Sequence, residues 1–175
     1  MFNILKFKNT EDLFFISDLH HRHSKLIESR GFKTIEEHDD FQIKNWNQKL
    51  NNKSTVFILG DSVLGAGEKS TQVFESLLYT LNFSTAYIMA GNHAAGYKTL
   101  FEKYFGNGID AFYRLTFRIG EKTIHFIPNY YEIFAGRQPI VLSHYSILSW
   151  RDQSKGSWMI FGHSHDSLKQ KIIYT

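Results

Sequence analysis

Five short apolar runs, each ending in a small polar cluster, constrain the fold of this 175-residue chain more than any other feature. The runs are rich in β-branched and aromatic residues and occupy residues 13–16, 56–59, 86–89, 140–142 and 158–161. Runs of this length and composition, closed by a polar break, are typical of buried strands. If all five are strands of one sheet, their polar clusters meet at its carboxyl edge, where open α/β sheets bind ligands.

The polar clusters contain residue types that bind metal ions. In chain order they are Asp18-Leu19-His20, Gly60-Asp61, Gly91-Asn92-His93, His144 and Gly162-His163-Ser164-His165. Together they supply two carboxylates, one amide and five imidazoles, which is more than one tetrahedral ion requires. The chain has no cysteine, so thiolate ligands and disulfides are excluded. Each cluster alone is also explained by a turn or an exposed loop, but the combination indicates two transition-metal ions about 3.5–4 Å apart.

Periodicity predicts the elements between the clusters. One helix has an apolar face formed by Ile35, Phe41, Ile43, Trp46 and Leu50, and begins with a capping box of Thr34 and Glu37. A second helix follows a flexible loop at residues 65–67, and its apolar face holds Val73, Phe74, Leu77, Leu78 and Leu81. Residues 112–127 alternate in two runs, which predicts an antiparallel hairpin at the sheet's edge, with His125 as an ordinary strand residue. No linker or repeat divides the chain, so we expect a single domain over residues 1–175.

Charge and hydropathy exclude several partners. The formal net charge is +3, and lysine and arginine are scattered rather than clustered, so nucleic acid is not a favoured partner. The amino-terminal residues lack a signal-type apolar core, and no apolar run is long enough to span a bilayer. We therefore expect a cytoplasmic protein with no membrane partner. The sequence makes no prediction of oligomeric state.

The order Asp-x-His, Gly-Asp, Gly-Asn-His, His, Gly-His-x-His resembles the calcineurin-like metallophosphoesterases over nearly the whole chain. The similarity is greater to small single-domain bacterial and phage members, through residues 17–23, 45–47, 143–145 and 148–150. It implies an α/β fold, namely a four-layer α/β/β/α sandwich. Only ten residues follow His165, so this is either a minimal member or one with a shortened second sheet. Ala94 and Ser146 depart from the family pattern, which commonly has an acidic residue and a proline there.

The resemblance also implies roles for individual residues. The ligands of the first metal are Asp18, His20 and His165, those of the second are Asn92, His144 and His163, and Asp61 bridges the two ions. His93 is the implied proton donor to the leaving oxygen and lies outside the coordination shell. The resemblance further implies that His23 contacts substrate. Arg22 is a candidate phosphate contact by its own chemistry, with a surface role as the alternative. The implied cofactors are two divalent transition-metal ions, with manganese favoured over iron, nickel or zinc.

These residues predict a binuclear metal-dependent phosphoesterase. Its substrate is a small phosphomonoester or phosphodiester, with nucleotide-derived esters among the candidates, attacked in line by a metal-bridging hydroxide. The alternatives are a metal-stabilised protein-interaction module with little turnover, and a nuclease. The doublet His38-Asp39 also occurs in helical phosphohydrolases, but here it is interpreted as part of a solvated helix face.

Overall fold

A computed structural model describes residues 4–64, 68–93, 115–165 and 167. Nine strands and two α-helices lie within these ranges. In chain order the elements are β1 (Leu5–Phe7), β2 (Leu13–Ile16), α1 (Ile35–Lys49), β3 (Thr55–Leu59), α2 (Glu68–Thr80), β4 (Thr85–Met89), β5 (Thr116–Ile119), β6 (Lys122–Phe126), β7 (Tyr130–Ala135), β8 (Gln138–Ser143) and β9 (Trp158–Phe161). All five predicted strands are present, as β2, β3, β4, β8 and β9.

The strands form two sheets, with orders β2-β3-β4-β6-β5 and β1-β7-β8-β9. Strand β3 shows how the sheets are buried, because Val56 and Ile58 pack in the core beneath the helices whereas Phe57 and Leu59 pack in the core shared with the second sheet. Successive side chains of a strand point to opposite faces, so a strand covered on both sides reads as a continuous apolar run. The predicted α/β class is confirmed. The described residues form a layer of helices packed on the first sheet, and the second sheet packs on the other face of the first.

The interpretation that all five strands belong to one sheet is wrong. Strands β2, β3 and β4 are parallel neighbours in the first sheet, whereas β8 and β9 are parallel neighbours in the second. An apolar run identifies a buried strand but carries no information about its pairing partner. The polar clusters nevertheless converge, because the two sheets are joined at this edge: the His144 ring on β8's exit donates to the Leu59 carbonyl of β3 at 2.7 Å.

Helix α1 differs from its prediction in three respects. The Thr34 hydroxyl caps the Glu37 N–H at 3.1 Å, but the Glu37 carboxylate accepts the N–H of Lys33 rather than that of Thr34. Phe41 was predicted in the core, yet it is 55% exposed. His38 and Asp39 were predicted on a solvated face, yet only 1% and 4% of their surface is exposed. The reason is a buried polar face on α1 that periodicity does not reveal: His38 bonds with Arg30 and Asp39, and Asp39 Oδ1 also accepts the backbone N–H of Arg22.

The second helix and the hairpin agree with the sequence. Phe74, Leu77 and Leu78 of α2 are buried, as is Leu81. Strands β5 and β6 are antiparallel, with β5 at the edge of the first sheet, and His125 is a β6 residue whose ring stacks on Tyr87 at 4.7 Å. The predicted loop at 65–67 and the start of the hairpin at 112–114 lie outside the described residues. Among the residues described, no helix has both the length and the apolarity to cross a membrane.

Candidate metal centre

The candidate ligands lie where five strands end. Asp18 and His20 follow β2, Asp61 follows β3, and Asn92 follows β4. From the second sheet, His144 follows β8, and His163 and His165 follow β9. Five of these ligands are non-glycine residues with left-handed backbones, whose φ values are 55° at Asp18, 49° at His20, 50° at Asp61, 67° at His163 and 44° at His165. Such conformations cost about 1–3 kcal/mol each, and they concentrate at functional sites.

The first group of candidate ligands contains Asp18, His20 and His165. Asp18 Oδ1 lies 3.6 Å from His20 Nε2 and 3.4 Å from His165 Nε2, and the two imidazole nitrogens are 3.1 Å apart. The three donor atoms therefore point to one location, although Asp18 and His165 lie near opposite ends of the chain. Within the described parts of the chain, this group is one of three His and Asp groups whose donor atoms all lie within 4.8 Å of one another.

The second group contains Asn92, His144 and His163. Asn92 Oδ1 lies 2.7 Å from His144 Nε2 and 2.8 Å from His163 Nδ1. Because His144 Nδ1 donates to the Leu59 carbonyl, its Nε2 carries the lone pair that a metal ligand needs. The tautomer of His144 is thus set by the backbone of the neighbouring sheet.

Asp61 lies between the two groups. Its Oδ2 is 3.7 Å from His20 Nε2 in the first group and 3.5 Å from His144 Nε2 in the second. Its Oδ1 accepts the backbone N–H of His93 at 2.9 Å, which orients the carboxylate. Only 1% of the surface of Asp61 is exposed. A single buried carboxylate is therefore positioned to serve both groups.

The donors fit divalent cations. Asp18 Oδ2 accepts the Ser17 hydroxyl and the His163 N–H, whereas the buried Oδ1 has no hydrogen bond and faces His20 and His165. Burial raises the pKa of Asp18, but the nearby His20 imidazole and the hydrogen bonds from Ser17 and the His163 backbone outweigh burial and hold the pKa well below its usual range. Burial lowers the pKa of His165, which favours the neutral imidazole that ligates metals. Imidazole with carboxylate and amide oxygen suits manganese, iron, nickel or zinc.

Two glycines are required for this packing. Gly91 has a φ of +76°, and a Cβ there would overlap the carboxylate and the backbone nitrogen of Asp61. Gly60 has a φ of +104°, and a Cβ there would overlap the His144 ring. These positions need glycine both for its left-handed backbone and for its lack of a side chain.

His93 lies at the edge of the centre. Its Nε2 is 3.9 Å from Asp61 Oδ2, and its ring meets the His20 ring with centroids 5.3 Å apart. His20, Asp61 and His93 form the third of the three His and Asp groups. His93 is therefore near enough to act either on a bound substrate or as an additional ligand. Ala94, which follows it, lies outside the described residues.

The two predicted substrate contacts have other partners in the structure. His23 is buried, with its Nδ1 3.2 Å from Nδ1 of His20, so it lies behind a metal-ligand candidate. Burial, followed by the charges of His20 and His93, lowers the pKa of His23. Arg22 is exposed and extends toward α1, where its guanidinium is 3.5 Å from Asp39 and 3.6 Å from Glu36. Their contact with substrate stays a prediction.

A supporting network behind the first group was missed at the sequence level. Arg30 donates to the carbonyls of Asp18 at 2.7 Å and Leu19 at 3.0 Å, and Gln42 donates to the same Leu19 carbonyl at 2.6 Å. Arg30 also donates to His38 Nε2 at 2.9 Å, and His38 Nδ1 is 2.9 Å from Asp39 Oδ1. This network holds the left-handed turn that carries Asp18 and His20. The sequence signal for this network is the His38-Asp39 doublet, whose interpretation as part of a solvated helix face is wrong.

Imidazole, carboxylate and amide donors thus converge at the carboxyl ends of strands from two packed sheets, as in α/β proteins that bind metal ions at such an edge. The chain belongs to the calcineurin-like phosphoesterase family, whose model matches residues 12–167. The family resemblance is therefore confirmed. Members of this family are metal-dependent phosphoesterases, and the His and Asp groups among the described residues could hold metal ions.

Two curated proteins and one solved structure are similar to the chain. The Methanocaldococcus jannaschii protein MJ1445 is 35% identical over 83 residues, and the match spans 46% of each chain. The gene 66 protein of Mycobacterium phage L5 is 24% identical over 165 residues, covering 88% of this chain and 77% of the phage protein. The crystal structure of Aquifex aeolicus AQ665 superposes with a TM-score of 0.49 at 21% identity, over 82% of this chain and 67% of that one.

Proposed function

We propose that this protein is a binuclear phosphoesterase that hydrolyses a small phosphomonoester or phosphodiester. The observation that carries the proposal is the position of Asp61, whose Oδ2 faces His20 at 3.7 Å and His144 at 3.5 Å. A carboxylate shared by two ligand groups is the arrangement expected of a two-metal site. Asp18, His20 and His165 would hold one ion, and Asn92, His144 and His163 the other.

Two divalent ions, of which we favour manganese, would supply a hydroxide nucleophile near neutral pH and would stabilise the charge that develops on the phosphoryl oxygens. The chain's own residues set the geometry. Asp18 stays ionised because its hydrogen bonds hold its pKa down, and the Leu59 carbonyl presents His144 Nε2 toward the centre. The two aspartates do not neutralise two divalent cations, so the centre would attract an anionic ester.

His93 is our candidate for the general acid. Its backbone N–H is bound to Asp61 Oδ1 at 2.9 Å, so its position is coupled to the carboxylate at the middle of the site. Its half-buried ring can hold a proton at the open edge of the centre and deliver it to the leaving oxygen. A positioned general acid contributes about 10²–10⁴-fold to the rate, most of all with an alkoxide leaving group.

Hydrolysis of bis-p-nitrophenyl phosphate by the manganese-loaded protein tests the proposed function. We expect turnover by the wild type and loss of it in Asp61→Asn, because the amide removes the shared negative charge. Asp152→Asn is the matched control, since Asp152 is a surface residue whose carboxylate pairs with Lys155 at 2.8 Å. Equal turnover by Asp61→Asn and the wild type would refute the assignment. Inactivity of the wild type with manganese, iron, nickel and zinc would favour the interaction module instead.

A further inference from the structure

A cavity of about 630 Å³ adjoins the first group of metal-ligand candidates. Asp18 and His165 form part of its wall, so the cavity and the proposed reaction centre share two side chains. Small-molecule sites have volumes of about 300–1,000 Å³, and this cavity lies within that range. A phosphate ester bound at the centre would therefore have room here for its organic group.

Three residues of the cavity wall are aromatic, namely Phe32, Phe41 and Phe161. The Phe32 and Phe41 rings pack against each other with centroids 5.2 Å apart, and the Phe32 ring in turn meets the buried His38 ring edge-on at 5.2 Å. This packing supports Phe41 from one side, while 55% of its surface remains exposed. A supported ring with an open face is suited to stacking with a planar group.

Polar and cationic groups complete the wall. Arg30 lines the cavity, and its guanidinium is fixed by the carbonyls of Asp18 and Leu19. Gln42 and Ser164 also line it, and the Gln42 amide is oriented by its bond to the Leu19 carbonyl. Polar groups held in fixed orientations give a ligand site its specificity. A positive charge, oriented amide and hydroxyl groups and an open aromatic face match a phosphorylated nucleoside better than an aliphatic phosphate ester.

We propose that this cavity binds the base of a nucleotide substrate, stacked on Phe41, while the phosphate lies at the metal centre. The inference rests on the proposed function and names its substrate class as nucleoside phosphate esters. Phe41 is then a specificity-determining residue, and its exposure on α1 is explained by the ligand that would cover it.

Equilibrium binding to the metal-loaded protein tests this assignment without relying on turnover. Calorimetry would compare the non-hydrolysable 5′-phosphonate analogue of adenosine monophosphate with the same ribose phosphonate lacking the base. We expect the wild type to bind the adenosine compound about tenfold more tightly, as stacking of a base on an aromatic side chain predicts. Phe41→Ala should abolish this preference and leave the affinity for the ribose compound unchanged.

Two further variants define the controls. Tyr79→Ala removes a ring that is 63% exposed on α2 and does not line the cavity, so it should keep the tenfold preference. Phe41→Leu keeps an apolar side chain but not the aromatic face, so it should lose the preference as Phe41→Ala does. Saturation-transfer NMR on the wild type provides a readout independent of any variant, and the adenine protons should receive more magnetisation than those of the ribose.

The outcomes separate this inference from the proposed function. Equal affinity of the wild type for both phosphonates, or an unchanged preference in Phe41→Ala, would overturn the nucleotide assignment while hydrolysis of bis-p-nitrophenyl phosphate still stood. If the protein binds the adenosine compound through Phe41 but hydrolyses no ester, the nucleotide-binding assignment of the cavity would be supported and the proposed phosphoesterase activity would be refuted.

Discussion

Asp61 lies between the two ligand groups of the candidate centre, and its two carboxylate oxygens have different partners. Oδ1 is bound to the backbone of the β4 exit, whereas Oδ2 faces one imidazole from each ligand group. Gly91 makes this possible, because any side chain there would occupy the space of the carboxylate. These short motifs were therefore predictable from the sequence. Glycine at a strand exit permits the sharp turn, and the aspartate and histidine that follow it supply the ligand atoms.

His93 and His163 differ in what their removal should change. Replacing His163 by alanine deletes an imidazole 2.8 Å from Asn92, so we expect the metal content of the protein to fall. Replacing His93 should leave the metal content intact and lower turnover by about 10²–10⁴-fold, with a larger loss for an alkyl ester than for a p-nitrophenyl ester. Elemental analysis and hydrolysis of the two esters check both variants. Matching metal depletion in the two would instead make His93 a ligand, through its group with His20 and Asp61.

At the scale of elements, strand β6 stabilises the end of helix α2. Lys122, the first residue of β6, donates to the carbonyls of Leu78 at 2.8 Å, Tyr79 at 2.8 Å and Leu81 at 2.6 Å. Its ammonium also lies 5.0 Å from the centre of the Phe83 ring. Burial lowers the pKa of Lys122, yet the helix's last carbonyls are natural partners for a cation.

Lys122→Met should therefore reduce the free energy of unfolding by about 1.5–3 kcal/mol, because three carbonyls lose a charged donor. Urea denaturation measures this change. Lys155→Met is the control, since Lys155 is a surface lysine paired with Asp152, and such pairs contribute about 0–1 kcal/mol. Equal destabilisation by the two substitutions would show that the helix end does not depend on Lys122. Turnover should not change, because Lys122 begins β6 at the end of the sheet opposite the metal centre.

Elements were more predictable than their environment. The positions of the five strands and both helices followed from periodicity and apolar runs, because burial of a face leaves a regular pattern. The burial of His38 and Asp39 and the exposure of Phe41 did not follow, because these side chains contact residues 22–32 rather than other parts of α1 alone. Local patterns also did not assign strands to sheets, since pairing is a long-range property.

At the scale of the whole molecule, the candidate centre joins two sheets. Three ligand-bearing strands belong to the first sheet and two to the second, and the His144 bond to Leu59 is one of the links between them. Ions held by residues from both sheets would resist separation of the layers. Metal binding and folding are therefore expected to be coupled.

Removal of metal should lower the melting temperature. A ligand present at about 100 times its dissociation constant stabilises the native state by about 2.7 kcal/mol, which corresponds to about 5–10 °C for a domain of this size. Differential scanning calorimetry with and without chelator measures the shift. The shift should be smaller in Asp61→Asn, and identical melting of the wild type in both conditions would exclude an inter-sheet metal centre.

The most direct measurement is an anomalous difference map from crystals of the manganese-loaded protein. The account predicts two peaks about 3.5–4 Å apart. One should lie in coordination range of Asp18, His20 and His165, the other in range of Asn92, His144 and His163, with Asp61 between them. A single peak, or two peaks away from these residues, would contradict it.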